Sequence, residues 1–368
     1  MRLTFLCTFA LALTTSVRAQ GTILFQDDFE SGLSNWSTIN TSPWAGLPSI
    51  WHIQNAADVC SATPFPSGTH AAWFGHAYTN FQGQLLCGFG HSDGWSWNDG
   101  VLQQTATIAL PVTNGSIRLS FRTLSEAEDD LFWDQRRVHV FQDGAGYQAF
   151  EFTPTTMLGK LVSSGWRTAV YDLTRFAGHD VRIAFEFWAG DSGYNDLLGW
   201  FIDDVKIEVV DEPALVFCAG DGQMQWCPCG NSGDAGRGCA NSFDARGGKL
   251  AAAGTPSLTA DTLTLTATEV SPAVMTLFAA PTAGPFGGLD HFGDGVRCIY
   301  SNIVRITGYP ANGMVQVPAS GGANLSTQML VSTPGSQRFI QGLYRDAPNF
   351  CTSATFNVTN GLMLTWRP

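Results

Sequence analysis

The stretch Gly199-Trp200-Phe201-Ile202-Asp203-Asp204-Val205-Lys206-Ile207-Glu208-Val209 decides the fold class. From Val205 onward apolar and charged residues alternate, the period of a strand with one dry and one wet face. It predicts a long closing strand. Three earlier segments carry the same period: Ser116 to Arg122, Arg137 to Gln142 and Val181 to Phe187. Asn114-Gly115, Asp143-Gly144 and Ala177-Gly178 lie between them, and such pairs mark turns. No helical period is evident beyond a turn over Leu173 to Ala177. Many antiparallel strands without helices predict an all-β chain, built as a sandwich or jelly roll.

The composition agrees. The 368 residues include 40 Gly, 17 Pro and 25 Phe, with 44% hydrophobic residues, enough for real cores. Only three lysines occur, Lys160, Lys206 and Lys249, and the net charge is −12. A basic surface is what nucleic acid and anionic membrane require, so neither is expected as a partner. Met1 to Ala19 reads as a secretory signal: Arg2, then the apolar run Leu3 to Leu13, then Val17-Arg18-Ala19. Without it 17 Lys and Arg face 31 Asp and Glu, a net −14, and nine cysteines become eight by loss of Cys7. An even count in an exported chain predicts disulfides. No membrane span and no C-terminal anchor are read, so the protein is expected to be secreted or at the cell surface.

Two halves differ in chemistry. Ten of the 12 Trp lie between Trp36 and Trp200, and six of the eight remaining cysteines lie from Cys218 onward. Asp211-Glu212-Pro213 interrupts the strand pattern. The expected domains are residues 20–210 and 217–368, joined by a linker over 211–216. Asp261 to Ala267, Arg338 to Tyr344 and Leu362 to Trp366 predict strands in the second. It is therefore expected to be a second, disulfide-containing sandwich.

Four pieces of the first half, in order, resemble the MAM-like jelly rolls of bacterial secreted proteins, also called cleaved-adhesin or choice-of-anchor J domains. They are Asp27-Asp28-Phe29-Glu30-Ser31-Gly32-Leu33-Ser34-Asn35-Trp36, Ser67 to Ala72, Asp172 to Gly178, and Gly199 to Val205. The resemblance implies an accessory, adhesive or carbohydrate-contacting module, often with bound calcium. Phe217 to Gly222, Cys227-Pro228-Cys229-Gly230-Asn231, Gly238 to Ser242, Gly293 to Cys298 and Thr359 to Leu362 resemble a domain of exported planctomycete-type proteins. That likeness bears on location and implies no chemistry.

Calcium takes six to eight hard oxygens. The resemblance puts it between the first and last strands, with Asp28, Glu30 and Asp203 leading and Asp204 beside them. Glu128, Asp134, Asp191 and Asp196 form a second candidate set. Against both stands the reading of these acids as solvated turn residues or as partners of Arg136, Arg137 and Arg182. Trp95-Ser96-Trp97-Asn98-Asp99 is the candidate binding segment: Trp stacks on a sugar face while Asn98 and Asp99 bond its hydroxyls. Trp44, Trp51 and Tyr78 extend that platform unless they pack inside. Gly90-His91-Ser92-Asp93-Gly94 spells a nucleophile elbow, but a turn-rich loop follows where a helix is required. Gly190-Asp191-Ser192-Gly193 meets Tyr194 where a trypsin-like motif needs Gly. His70, His76 and His91 form no zinc motif. No catalytic residue is assigned. Cys60 is expected to pair with Cys87, and Cys298 with Cys351, leaving Cys218, Cys227, Cys229 and Cys239 with three possible pairings.

The expectation is a secreted, non-catalytic adhesion or glycan-binding protein, its first domain held by structural calcium, with an extracellular glycan or cell-surface protein as partner. The alternatives are an extracellular hydrolase acting on polysaccharide through a carboxylate pair such as Glu128 and Asp134, and a structural component of the cell surface.

Overall fold

The computed structural model describes residues 21–41, 51–58, 60, 64–79, 82–89, 98–127, 133–143, 149–152, 165–190, 193, 195–283, 290–300, 302–311 and 314–368. The chain is all-β. Its first half contains β1 (Thr22–Asp27), β2 (Trp36–Asn40), β3 (Trp51–Asn55), β4 (His70–Phe74), β5 (His76–Thr79), β6 (Leu85–Gly88), β7 (Asp99–Gln104), β8 (Ile108–Ala109), β9 (Ser116–Glu126), β10 (Gln135–Gln142), β11 (Ala149–Phe152), β12 (Arg167–Asp172), β13 (Asp180–Trp188) and β14 (Gly199–Val210). The turn over Leu173 to Ala177 is a single 3-10 turn, Thr174–Phe176.

Two antiparallel sheets pack face to face. The first runs β12-β9-β14-β4-β3, with β1 also on β14; the second runs β11-β10-β13-β7-β2, with β8 also on β13. The predicted alternation is what buries the core. Ile117, Leu119 and Phe121 of β9 and Val205 and Ile207 of β14 point inward against Val138, Val140, Ile183, Phe185 and Phe187 of the other sheet. Each such side chain contributes roughly 1.5–3 kcal/mol by leaving water. Trp36, Trp51 and Trp200 close the middle. Trp51 lies edge-on to Trp200 at 5.6 Å, and Trp200 edge-on to Phe185 at 5.8 Å.

β14 is the axis of the first sheet. Its opening residues, Trp200 to Ile202, pair with β4, and Val205 to Val209 pair with β1. Between them the register against β9 shifts from Asp203 to Lys206, and Asp204 takes φ +50°. This bulge falls at two successive carboxylates, Asp203 and Asp204.

The second half contains β15 (Leu215–Cys218), β16 (Lys249–Ala253), β17 (Thr264–Thr268), β18 (Met275–Ala280), β19 (Asp290–Phe292), β20 (Gly295–Arg297), β21 (Val304–Ala311), β22 (Met314–Val317), β23 (Gln337–Arg345) and β24 (Phe356–Thr365), plus one turn of helix, Leu325–Gln328. The strands form a sheet ordered β15-β24-β23-β18-β21-β22-β17-β16. The sheet curls until β16, at one edge, meets β24, next to the other edge: Asn360 of β24 takes the Leu250 N–H on its Oδ1 and donates to the Leu250 carbonyl of β16. Leu250, Leu265, Leu277, Ile306, Ile340 and Leu364 fill the curl around Trp366.

Disulfides hold the Gly-rich stretch between β15 and β16. Cys60–Cys87 forms as expected. Cys298 does not pair with Cys351: the bridges are Cys218–Cys298, Cys227–Cys239 and Cys229–Cys351. Pairing on β24 explains the difference. Cys218 of β15 faces Gly361, and a Cβ on Gly361 would sit 3.0 Å from the Cβ of Cys298. The bare glycine therefore lets Cys298 reach Cys218.

The halves are docked. β15 begins at Leu215, inside the stretch read as a linker. Val170 and Val210 share a buried cluster with Leu215, Phe217, Phe339 and Met363. Asp172, fully buried and raised by that burial, accepts from the Thr365 hydroxyl at 2.6 Å, and its carbonyl accepts from Gln337 Nε2 at 3.1 Å. Arg367 donates to the Asn114 and Gly115 carbonyls. No helix among the described residues is long and apolar enough to cross a membrane.

Candidate functional site

The junction of first and last strands brings part of the expected acidic set together. Asp27 anchors it: its carboxylate accepts from the Phe29 N–H, Asn35 Nδ2 and Trp36 Nε1, each at 2.9 Å. This pins the turn after β1 to the start of β2. Asp27 is the residue the sequence reading passed over, although Asn35-Trp36 eight positions on was the available signal.

Glu30 and Asp203 turn toward the segment Ser67 to His70. Glu30 accepts from the Thr69 N–H at 2.7 Å and the His70 N–H at 2.6 Å, and pairs with His70 Nδ1 at 3.0 Å. The His70 contact, helped by these backbone donors, pushes Glu30 down to about 2. Asp203 is fully buried. It accepts from the Asp204 N–H at 2.7 Å and from the Ser67 hydroxyl at 3.4 Å, and burial pushes it up to about 7. Asp28 and Asp204 instead line an open cleft of about 540 Å³ on the outer face of the first sheet. Its walls include Asn35, Arg122, Thr168 and Lys206. Gln223 of the second domain reaches its edge, holding Arg122 at 3.2 Å. The four candidate ligands thus fall into two pairs, Glu30 with Asp203 and Asp28 with Asp204.

Of the second acidic set, Glu128 and Asp191 lie outside the described residues. Asp134 is fully buried with φ +43°, while Asp196 is exposed beside Gly88. Among the described residues no three His, Cys, Asp or Glu side chains converge as a ligand set. Of the histidines, His70 serves Glu30 and His76 packs against Tyr78.

The candidate binding segment divides similarly. Trp44, Trp95, Trp97, His91 and both serine motifs lie wholly or partly outside the described residues. Asn98 and Asp99 are buried and occupied, so the reading of them as sugar contacts is corrected. Asn98 Nδ2 donates to the Phe89 carbonyl at 3.0 Å, and Asp99 Oδ1 accepts from the Ala189 N–H at 2.8 Å. Both are satisfied by backbone, and burial pushes Asp99 up to about 7. Trp51 is core, its Nε1 donating to the Gly100 carbonyl.

The outward face of the second sheet carries a set the sequence reading missed. Trp188 ends β13, paired with Asp99, two residues after Trp97 in the chain. On β10, Arg137 lies 5.4 Å from the Trp188 ring centre and reaches Glu186 at 3.2 Å. His139 Nε2 meets the same Glu186 oxygen at 2.8 Å, and its ring stacks near Phe141. Burial alone would raise Glu186, but His139 and Arg137 outweigh it and hold the carboxyl low. These side chains come from neighbouring strands, aligned by the register Arg137 to Glu186. The signal was present in the period-two order of Arg137, His139 and Phe141, but their partner strand could not be read. Together they offer a half-buried indole edged by a fixed cation, carboxylate and imidazole. That suits a ligand with both an apolar face and hydroxyl groups.

No family model and no curated protein matches the chain. Among solved structures, the cleaved adhesin domain of Lys-gingipain from Porphyromonas gingivalis is 19% identical, covering 50% of this chain and 96% of that one at a TM-score of 0.30. The CBM22-1 xylan-binding domain from Paenibacillus barcinonensis is 12% identical, over 52% and 96%, at 0.29. The family 11 carbohydrate-binding module from Clostridium thermocellum is 14% identical, over 52% and 96%, at 0.27. Overlaps this low carry no weight for fold or function, and the fold rests on the strand pairing described above.

Proposed function

We propose that this chain is an extracellular, non-catalytic glycan-binding or adhesion protein whose ligand lies across the outward face of the second sheet, at Trp188. The observation that carries the reading is the row Trp188, Arg137, Glu186 and His139. An indole supplies the stacking surface, and charged groups already locked by one another supply hydrogen bonds with little further loss of side-chain freedom. The 540 Å³ cleft of the first sheet is polar and charged, and its one aromatic, Phe121, is buried. It lacks the stacking surface that sugar recognition uses. Four disulfides fit an oxidising, extracellular setting.

Calcium belongs to this reading at the strand junction. Glu30 and Asp203 share the Ser67 to His70 segment. Asp203 is a buried carboxylate with no salt bridge among the described residues; Arg122, at the paired position on β9, is the basic group whose charge reaches it, and a hard cation would add to that charge. The ion would fix the segment that these residues meet.

A glycan array with wild type and Trp188→Ala tests the binding. Removing the indole should weaken bound glycans at least tenfold, about 1.4 kcal/mol. Trp95→Ala and Trp97→Ala, on the segment leading to Asp99, extend the comparison. Binding that survives Trp188→Ala, or turnover of a bound glycan, overturns the proposal.

A further inference from the structure

The second domain holds a buried acidic site that the glycan reading does not use. Asp294 sits at the tip of the β19–β20 hairpin, in the stretch Gly293-Asp294-Gly295, and is completely buried. Its Oδ1 accepts from the Thr352 N–H at 2.7 Å and the Thr352 hydroxyl at 2.6 Å. Its Oδ2 is buried with no hydrogen-bond partner. Asp346, 7% exposed, uses Oδ1 for the N–H groups of Ser242 and Ala347 and for the Ser242 hydroxyl. Among the described residues its Oδ2 receives the Asn357 amide, at 3.4 Å.

The two acids belong to one network. Asn231 Nδ2 donates to the Asp294 carbonyl and the Ala240 carbonyl, both at 3.0 Å. Asn357 Nδ2 donates to that same Ala240 carbonyl at 3.0 Å and to Asp346 Oδ2. Gly295 admits the Asn357 side-chain Oδ1, which a Cβ there would meet at 2.4 Å and which also accepts from the Val358 N–H at 2.8 Å. The Cys229–Cys351 bridge ties the Asn231 and Thr352 loops together.

Charge balance is what this network lacks. The domain's ion pairs among the described residues join Arg237 and Arg246 to Asp244 and Glu269, and involve neither Asp294 nor Asp346. Burying two carboxylates without a counter-charge is costly unless a cation joins them. All available donors are oxygens, because the nearby cysteines are bonded to one another. That donor set selects calcium over zinc or copper.

We propose that the second domain binds one calcium ion at Asp294 and Asp346, with Asn357 supplying a carbonyl oxygen and water completing the shell. The ion locks the β19–β20 hairpin onto the stretch between β15 and β16 and the loop between β23 and β24. This site is independent of the one at Glu30 and Asp203.

Calorimetric titration of the whole chelator-stripped protein with calcium chloride separates the two. Asp294→Asn keeps the acceptor for Thr352 and removes the charge. It should abolish one binding event, or weaken it at least tenfold, while Asp203→Asn leaves that event intact. In chelator, Asp294→Asn should melt no lower than wild type, since the unpaired charge is gone; in calcium the order should reverse. A purely structural aspartate would not reverse it. If the variant does not fold, calcium must still raise the melting temperature of Asp203→Asn. No calcium uptake, uptake unchanged by Asp294→Asn, or no calcium response in Asp203→Asn overturns the proposal. Loss confined to Asp203→Asn would sink this site and leave the first-domain site standing.

Discussion

Asp99 offers the sharpest test of the energetics. It opens β7 under Trp188, 3% exposed, its Oδ1 held by the Ala189 N–H and Glu186 nearby. Burial pushes it up to about 7 from an ordinary 3.8. The folded chain therefore keeps a proton there that the unfolded chain has released. Stability is fully present below the unfolded value and is lost as pH rises toward the folded one. The gap is about three pH units, so the ceiling is about 4 kcal/mol. Asp99→Asn keeps the acceptor and removes the charge, and so escapes this loss. Its advantage over wild type should grow by about 2 kcal/mol between pH 5.5 and 8.5, because roughly half the loss falls in that window. Asp203 adds its own slope equally to both proteins and cancels. Urea unfolding followed by Trp fluorescence, with disulfides intact, measures the difference. An advantage that stays flat across the window, or a variant less stable at pH 8.5, refutes the reasoning.

The disulfides rank by the loops they close. Converting Cys229 and Cys351 to Ser should cost about 5 kcal/mol, against about 3 kcal/mol for Cys227 and Cys239, whose loop is a tenth as long; equal losses in denaturant titrations would contradict this. Peptide mapping without reduction should link Cys298 to Cys218 and never to Cys351. Val170→Asp puts an unpaired charge into the cluster shared by the two halves. Calorimetry should then resolve two unfolding transitions where wild type gives one, and a single transition in the variant would count against a shared core.

Alternation along the chain carried the fold. Gly199 to Val209, Ser116 to Arg122 and Arg137 to Gln142 are strands because burial on one face of a pleated backbone demands that period. The Cys60–Cys87 bridge was equally legible, since no other cysteine of the first half outside the signal was available. Registry was not. Asp99 reads as a sugar contact from its neighbours in sequence, yet it is buried because β13 lies alongside and supplies the Ala189 N–H. Glu30 and Asp203 were picked for one site with Asp28 and Asp204, but Glu30 and Asp203 bond the Ser67 to His70 segment while Asp28 and Asp204 line the open cleft, a division that strand pairing decides. Cys298 finds Cys218 only because Gly361, on a third strand, leaves the space. Trp188, Arg137, Glu186 and His139 are ordinary surface residues until two strands align them. Local sequence sets which way a side chain faces within its own strand, since that depends on period alone. Which side chains meet is decided by pairing between distant strands, a property of the whole sheet that no short stretch encodes.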